Sequence, residues 1–100
     1  MVENLTGKTS LAQYTKESIA EIKRLSDSSL EKAESTKLGS SEAKQVIYTG
    51  NENGNPVKKM ETWCVQNNLA YVVTYTAQPN SFDEHLPTVQ KMLKSFEISN

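Results

Sequence analysis

The chain has 100 residues, one domain's worth of polymer, because a single hydrophobic core usually serves ~100–150 residues. Hydrophobic residues make up 36% of it, which is a thin core, but 11 basic against 12 acidic residues leave a net charge of only −1, too little to keep the chain unfolded. Interspersed signs give no basic stripe for nucleic acid, no apolar run approaches the ~18–20 residues of a membrane span, and the single cysteine excludes an internal disulfide or a multi-cysteine metal site.

Residues 1–5 carry neither the basic region nor the apolar core of a signal peptide. Ser10 with Gln13 matches a capping box, in which each side chain bonds the other's backbone N–H, so a helix is expected from Leu11. Leu11, Thr15, Ile19, Ile22 and Leu25 or Ser26 recur at helical spacing, with Lys16, Glu17, Glu21, Lys23 and Arg24 mainly opposite, which predicts an amphipathic helix lying on a sheet. Ser26-Asp27-Ser28-Ser29 ends it, since these side chains compete for backbone hydrogen bonds.

Over residues 30–38 the alternation of Leu30, Lys32, Glu34, Thr36 and Leu38 with Glu31, Ala33, Ser35 and Lys37 is polar on both faces and suits an edge strand. Gly39-Ser40-Ser41 punctuates, and a second strand is centred on Val46, Ile47 and Tyr48. Asn53-Gly54 supplies the positive φ values of a tight hairpin. The returning strand, 57–66, sets Met60, Thr62 and Cys64 on one face and Trp63 and Val65 on the other. Asn67-Asn68 turns into residues 69–77, an uncharged, β-prone segment that reads as buried on both faces. Ser81 with Glu84 forms a second capping box before Phe82, Leu86, Val89, Leu93 and Phe96, with Pro87 expected to break this pattern and open the helix proper. The expected fold is one α+β domain, 1–100: an antiparallel sheet of about four strands flanked by helices on both faces, in the order helix-strand-strand-strand-strand-helix.

Few constellations carry chemistry. Gly7-Lys8-Thr9 lacks the preceding glycine of a phosphate loop, Val2 standing in its place. Asn4-Leu5-Thr6 matches a glycosylation acceptor that is short enough to arise by chance. Asp83-Glu84-His85 places three ligand types in succession, but helix neighbours diverge by about 100°, so only Asp83 and His85 in an irregular turn could share a cation. One His and one Cys fall on different elements, so Cys64 reads as core filler and Trp63, Tyr71 and Tyr75 as core aromatics. No catalytic, cofactor or metal residue is assigned.

The segment Ala70-Tyr71-Val72-Val73-Thr74-Tyr75-Thr76-Ala77, followed by Pro79, Ser81-Phe82-Asp83, Leu86-Pro87-Thr88-Val89 and Met92-Leu93-Lys94-Ser95-Phe96, resembles the closing strand and helix of PsbP-like proteins. That family comprises the extrinsic protein of photosystem II and its bacterial relatives. Asn4-Leu5-Thr6-Gly7-Lys8-Thr9-Ser10-Leu11-Ala12-Gln13-Tyr14-Thr15 resembles the start of the same family's first long helix. The resemblance implies a non-enzymatic accessory or assembly protein without cofactor. It would be peripheral to a membrane complex such as photosystem II in the thylakoid lumen or periplasm. The alternative within the same fold is a periplasmic bacterial lipoprotein in stress response or solute handling. Family domains usually begin with a further hairpin carrying Tyr-Pro-x-x-Trp, which this chain does not show. An uncovered sheet edge and a homodimer are therefore expected.

Overall fold

The structure, a computed structural model, describes residues 2–5, 9–25 and 28–96. Its elements are β1 (Val2–Asn4), α1 (Leu11–Arg24), β2 (Ser29–Leu38), β3 (Ser41–Glu52), β4 (Asn55–Gln66), β5 (Leu69–Ala77) and α2 (Phe82–Lys94). The strands form one antiparallel sheet in the order β1-β5-β4-β3-β2. Two-residue turns make this meander: Asn53 and Gly54 have φ of 53° and 81°, and Asn67 and Asn68 of 51° and 61°. Asparagine and glycine tolerate that left-handed region, and such turns match the twist of the strands they join.

Alternation divides the sheet residues between two helices. On one face Leu38, Ala43, Met60 and Cys64 pack with Phe82 and Leu93 of α2. On the other, Val46, Tyr48, Trp63 and Val72 pack with Ile22 of α1. The α+β class and the antiparallel sheet with two helices therefore stand as expected. Ser10 caps α1 by accepting a hydrogen bond from the Gln13 amide at 3.1 Å, while the Gln13 side chain reaches Glu17 instead of closing the box.

Several expectations are corrected. A fifth strand, β1, precedes α1 and pairs with the start of β5, Glu3 lying opposite Ala70. Three extended residues carry too little pattern to be read alone. The 69–77 strand is not sheltered on both faces: Thr74 and Thr76 are exposed, because α1 packs over β2, β3 and β4 and stops short of this end of β5. Val46 on β3, Thr62 and Cys64 on β4 and Ala70 at the start of β5 have no exposure, so the slowest amide exchange belongs to the centre of the sheet rather than to the whole of 69–77.

In β2, Leu30 pairs with Tyr48 while Lys32 pairs with Ile47, which leaves Glu31 as an extra residue. This bulge reverses the side-chain parity, so Leu30 packs on the α1 side and Leu38 on the α2 side rather than sharing a face. Leu25, assigned to the packed stripe of α1, is 50% exposed. Pro87 does not break α2, which runs unbroken from Phe82 to Lys94. The lost amide would have bonded the Asp83 carbonyl, on an exposed residue where water can replace it, and packing by Leu86, Val89 and Leu93 carries the helix through. The second capping box is absent, for Ser81 has φ −108° and ψ −8° rather than the extended backbone of a cap.

Candidate binding cleft

On the α1 side, β1, α1 and the central strands enclose a cleft of about 370 Å³. Its floor is Trp63, Val72, Ile22 and Tyr48, and its rim carries Glu3 from β1, Glu17 and Glu21 from α1, and Glu61 from β4. Register explains the floor. Residues of β4 and β5 that lie opposite one another share a face, so Trp63 sits beside Val72, and Glu61 comes two residues before Trp63 on the same side. Helical spacing explains the α1 rim, where Glu17 and Glu21 are four apart.

Directed bonds order these groups. The Tyr48 hydroxyl donates to Glu61 at 2.7 Å and the Tyr14 hydroxyl to Glu3 at 2.8 Å, tying α1 to β1. Trp63 donates its indole N–H to the Thr15 hydroxyl at 2.9 Å, and Tyr14 stands edge-on to the Trp63 ring at 6.0 Å. Burial, then the hydrogen bond to Glu3, pushes the Tyr14 phenol up to about 12. Burial and the bond to Glu61 push Tyr48 up as well. Both phenols therefore remain neutral donors at physiological pH. On this rim, Glu21 faces Arg24 at 3.4 Å in an exposed ion pair, so it adds least to the net negative charge. An acidic rim around an aromatic floor is electrostatically complementary to a cation: a lysine, arginine or other ammonium group.

A larger concavity of about 660 Å³ surrounds the β2–β3 turn, but its rim mixes Lys37, Lys44 and Lys94 with Glu42 and presents no single sign. Size alone is thus a weaker guide than charge and ordered side chains. Cys64 is fully buried on the α2 side and burial raises its thiol pKa, which fits core filler rather than a nucleophile. Asp83, Glu84 and His85 are exposed on the first turn of a regular helix rather than in an irregular one, so Asp83 and His85 are not brought together. Among the described residues no group of three His, Cys, Asp or Glu side chains converges to hold a metal ion. Thr6, Gly7 and Lys8, from the glycosylation and phosphate-loop patterns, lie outside the described residues. Trp63 is core as expected, and Tyr75 packs on Phe82 at 4.9 Å while donating to its carbonyl.

Sequence reasoning did not single out the cleft. Glu61 and Trp63 at strand spacing, with Tyr14, Glu17 and Glu21 at helical spacing, were the available signal, but joining them needed the α1-to-β4 contact.

No protein-family model and no curated protein matches the chain. Among solved structures it is similar to PA94 from Pseudomonas aeruginosa, described as a protein of unknown function and candidate regulator. The TM-score is 0.81 over all of this chain and 83% of that one, at 12% identity, which establishes a shared fold alone. No helix among the described residues is long and apolar enough to cross a membrane.

Proposed function

We propose that this chain is a non-enzymatic accessory or assembly domain of the PsbP type that docks on a membrane protein complex, with photosystem II as the first candidate, from the lumenal or periplasmic side. The supporting observation is the acidic, aromatic-floored cleft beneath α1, which is electrostatically complementary to a cationic side chain of a partner. Sequence resemblance supports the choice of complex. The docking mode is recognition without bond making, carried by Glu17, Glu21 and Glu61 on the rim and Trp63 beneath.

The experiment is capture of solubilised photosynthetic membranes on the tagged chain, beside a variant carrying Glu17→Gln, Glu21→Gln and Glu61→Gln. Photosystem II subunits should be recovered by the parent and depleted on the variant. Recovery of no membrane complex would refute the proposal. The fold's occurrence in Pseudomonas aeruginosa favours a second reading, a periplasmic lipoprotein in stress response or solute handling. A lipobox cysteine upstream in the reading frame, in an organism without photosynthetic genes, would select it.

A further inference from the structure

The hairpin between β3 and β4 turns on Asn53 and Gly54, since Glu52 and Asn55 are the last partners of its ladder. Both tip residues are exposed, and a β-carbon built on Gly54 would meet nothing within 4 Å. The tip therefore stands clear of the rest of the fold. Asparagine is a thermolabile residue, because the backbone nitrogen of the residue after it can attack its side-chain carbonyl carbon. A hydrogen bond that occupies that nitrogen, or a side chain on the residue that bears it, opposes the attack.

The fold hinders this reaction at the other described asparagines. After Asn4 the Leu5 amide donates to the Asn68 carbonyl at 3.1 Å, and after Asn80 the Ser81 amide donates to the Gln78 carbonyl at 2.9 Å. After Asn55 stands Pro56, which has no amide hydrogen to lose. Glu52 after Asn51 and Leu69 after Asn68 lie inside the strand pairing, as the closing residues of two ladders. Asn67 is the closest comparison, because it too has a positive φ, 51°, at the first position of a two-residue turn. Its neighbour Asn68, however, carries a side chain, which is fixed to the Leu5 carbonyl at 2.6 Å. Among the described residues Asn53 is thus set apart as an exposed turn asparagine followed by a residue with no side chain.

We infer that Asn53 is a site of spontaneous covalent modification in the folded chain, where it deamidates through a cyclic imide to aspartate and isoaspartate. The Gly54 nitrogen forms a bond to Cγ of Asn53 while the bond from Cγ to Nδ2 breaks, and the Gly54 amide proton leaves with Nδ2 as ammonia. Solvent water then opens the imide. Opening at Cγ gives aspartate, whereas opening at the main-chain carbonyl leaves Gly54 joined to Cγ, which is isoaspartate. No oxidant or reductant is involved.

Each product adds a negative charge next to Glu52, which already pairs with Lys59 at 2.7 Å. The two products differ in what they do to the hairpin. Aspartate before glycine suits the same turn, but isoaspartate inserts a further carbon into the main chain, so Glu52 and Asn55 lose the spacing that lets them close the ladder.

The reaction needs no partner, so this inference stands apart from the docking proposal. The full chain is incubated folded at mildly alkaline pH and compared with an unincubated sample by tryptic peptide mass spectrometry, which separates residues 45–58 from residues 60–91 with Asn67, Asn68 and Asn80. Asn53 should convert at least ~tenfold faster than any of those three, whose attacking nitrogens must first give up a bond or pass a side chain. A carboxyl methyltransferase specific for isoaspartate should label the 45–58 peptide of the incubated chain. Gly54→Asn reproduces the Asn67-Asn68 turn at the tip, keeping a residue that accepts positive φ while giving the attacking nitrogen a side chain, and should slow conversion of Asn53 at least ~tenfold. Equal rates at Asn53, Asn67 and Asn80 in the parent overturn the inference whether or not the variant folds. So does conversion at Asn53 that occurs in denaturant but not in the folded chain, or a folded Gly54→Asn variant that converts as fast as the parent.

Discussion

The two faces of the sheet use different kinds of bond to hold their helices: side chain to side chain on the α1 side, side chain or amide to helix backbone on the α2 side. On the α2 side Leu38, Met60, Cys64 and Phe82 are at most 2% exposed, and the helix is held by area together with bonds to its own backbone, from Tyr75 to the Phe82 carbonyl and from Gly39 to the Leu93 carbonyl. On the α1 side the helix buries only Ile22 fully, and its position is fixed by directed bonds, Thr15 to Trp63 and Tyr14 to Glu3. Apolar burial is additive and indifferent to direction, whereas hydrogen bonds between side chains fix geometry while adding little net stability. Both faces bury apolar area, Val46 and Trp63 on the α1 side as deeply as Cys64 and Met60 on the α2 side, but the α1 side is the one that can present an ordered, charged surface.

That contrast breaks first under Phe82→Ala. It should cost ~3–5 kcal/mol in denaturant unfolding, because Phe82 fills the α2-side cluster and its removal leaves a cavity. A cost as small as that of the α1-side variants would mean that the faces are not distinguished. Trp63→Phe should cost less, ~1–2 kcal/mol, by orphaning Thr15 and shrinking the cleft floor. Tyr48→Phe should cost about 1 kcal/mol near neutral pH, since Glu61 loses its donor but stays near solvent.

The same phenols give the comparison a pH axis. Their folded pKa lies above the ordinary 10.0, about 12 for Tyr14, so the unfolded chain releases these protons first. Their contribution is whole below pH 10 and is lost as pH rises from there toward the folded values. Denaturation midpoints should fall across that window in the parent, and fall less in the double variant Tyr14→Phe, Tyr48→Phe. The smallest effect belongs to Arg24→Ala, whose partners are exposed; its stability change should stay within about 0.5 kcal/mol.

What could be read in advance was what short-range chemistry decides. Ser10 before Leu11 marks a helix start, and Asn53-Gly54 and Asn67-Asn68 mark hairpins, because each acts within a few residues. Pro87 misled, since the local cost of proline was outweighed by packing of Leu86, Val89 and Leu93 that sequence spacing could only suggest. The parity of β2 was hidden in one bulged residue, Glu31, with no signature of its own. An uncharged strand such as β5 reads as covered on both faces, yet Thr74 and Thr76 are exposed on the α1-side face, because the reach of α1 is set by its packing on β2, β3 and β4. The cleft depended on Tyr14 meeting Trp63 and on Glu61 coming beneath α1, contacts between distant parts of the chain that no local pattern encodes.

Gly39 ties the first hairpin of the sheet to the far end of the chain. At φ 64° it donates its amide to the Leu93 carbonyl at 2.8 Å, and the Phe96 carbonyl occupies the space where any β-carbon would stand. A side chain at position 39 therefore meets two obstacles at once, a left-handed backbone and an occupied space. One substitution there would loosen the β2–β3 turn and the end of α2 together, although more than fifty residues of chain separate them.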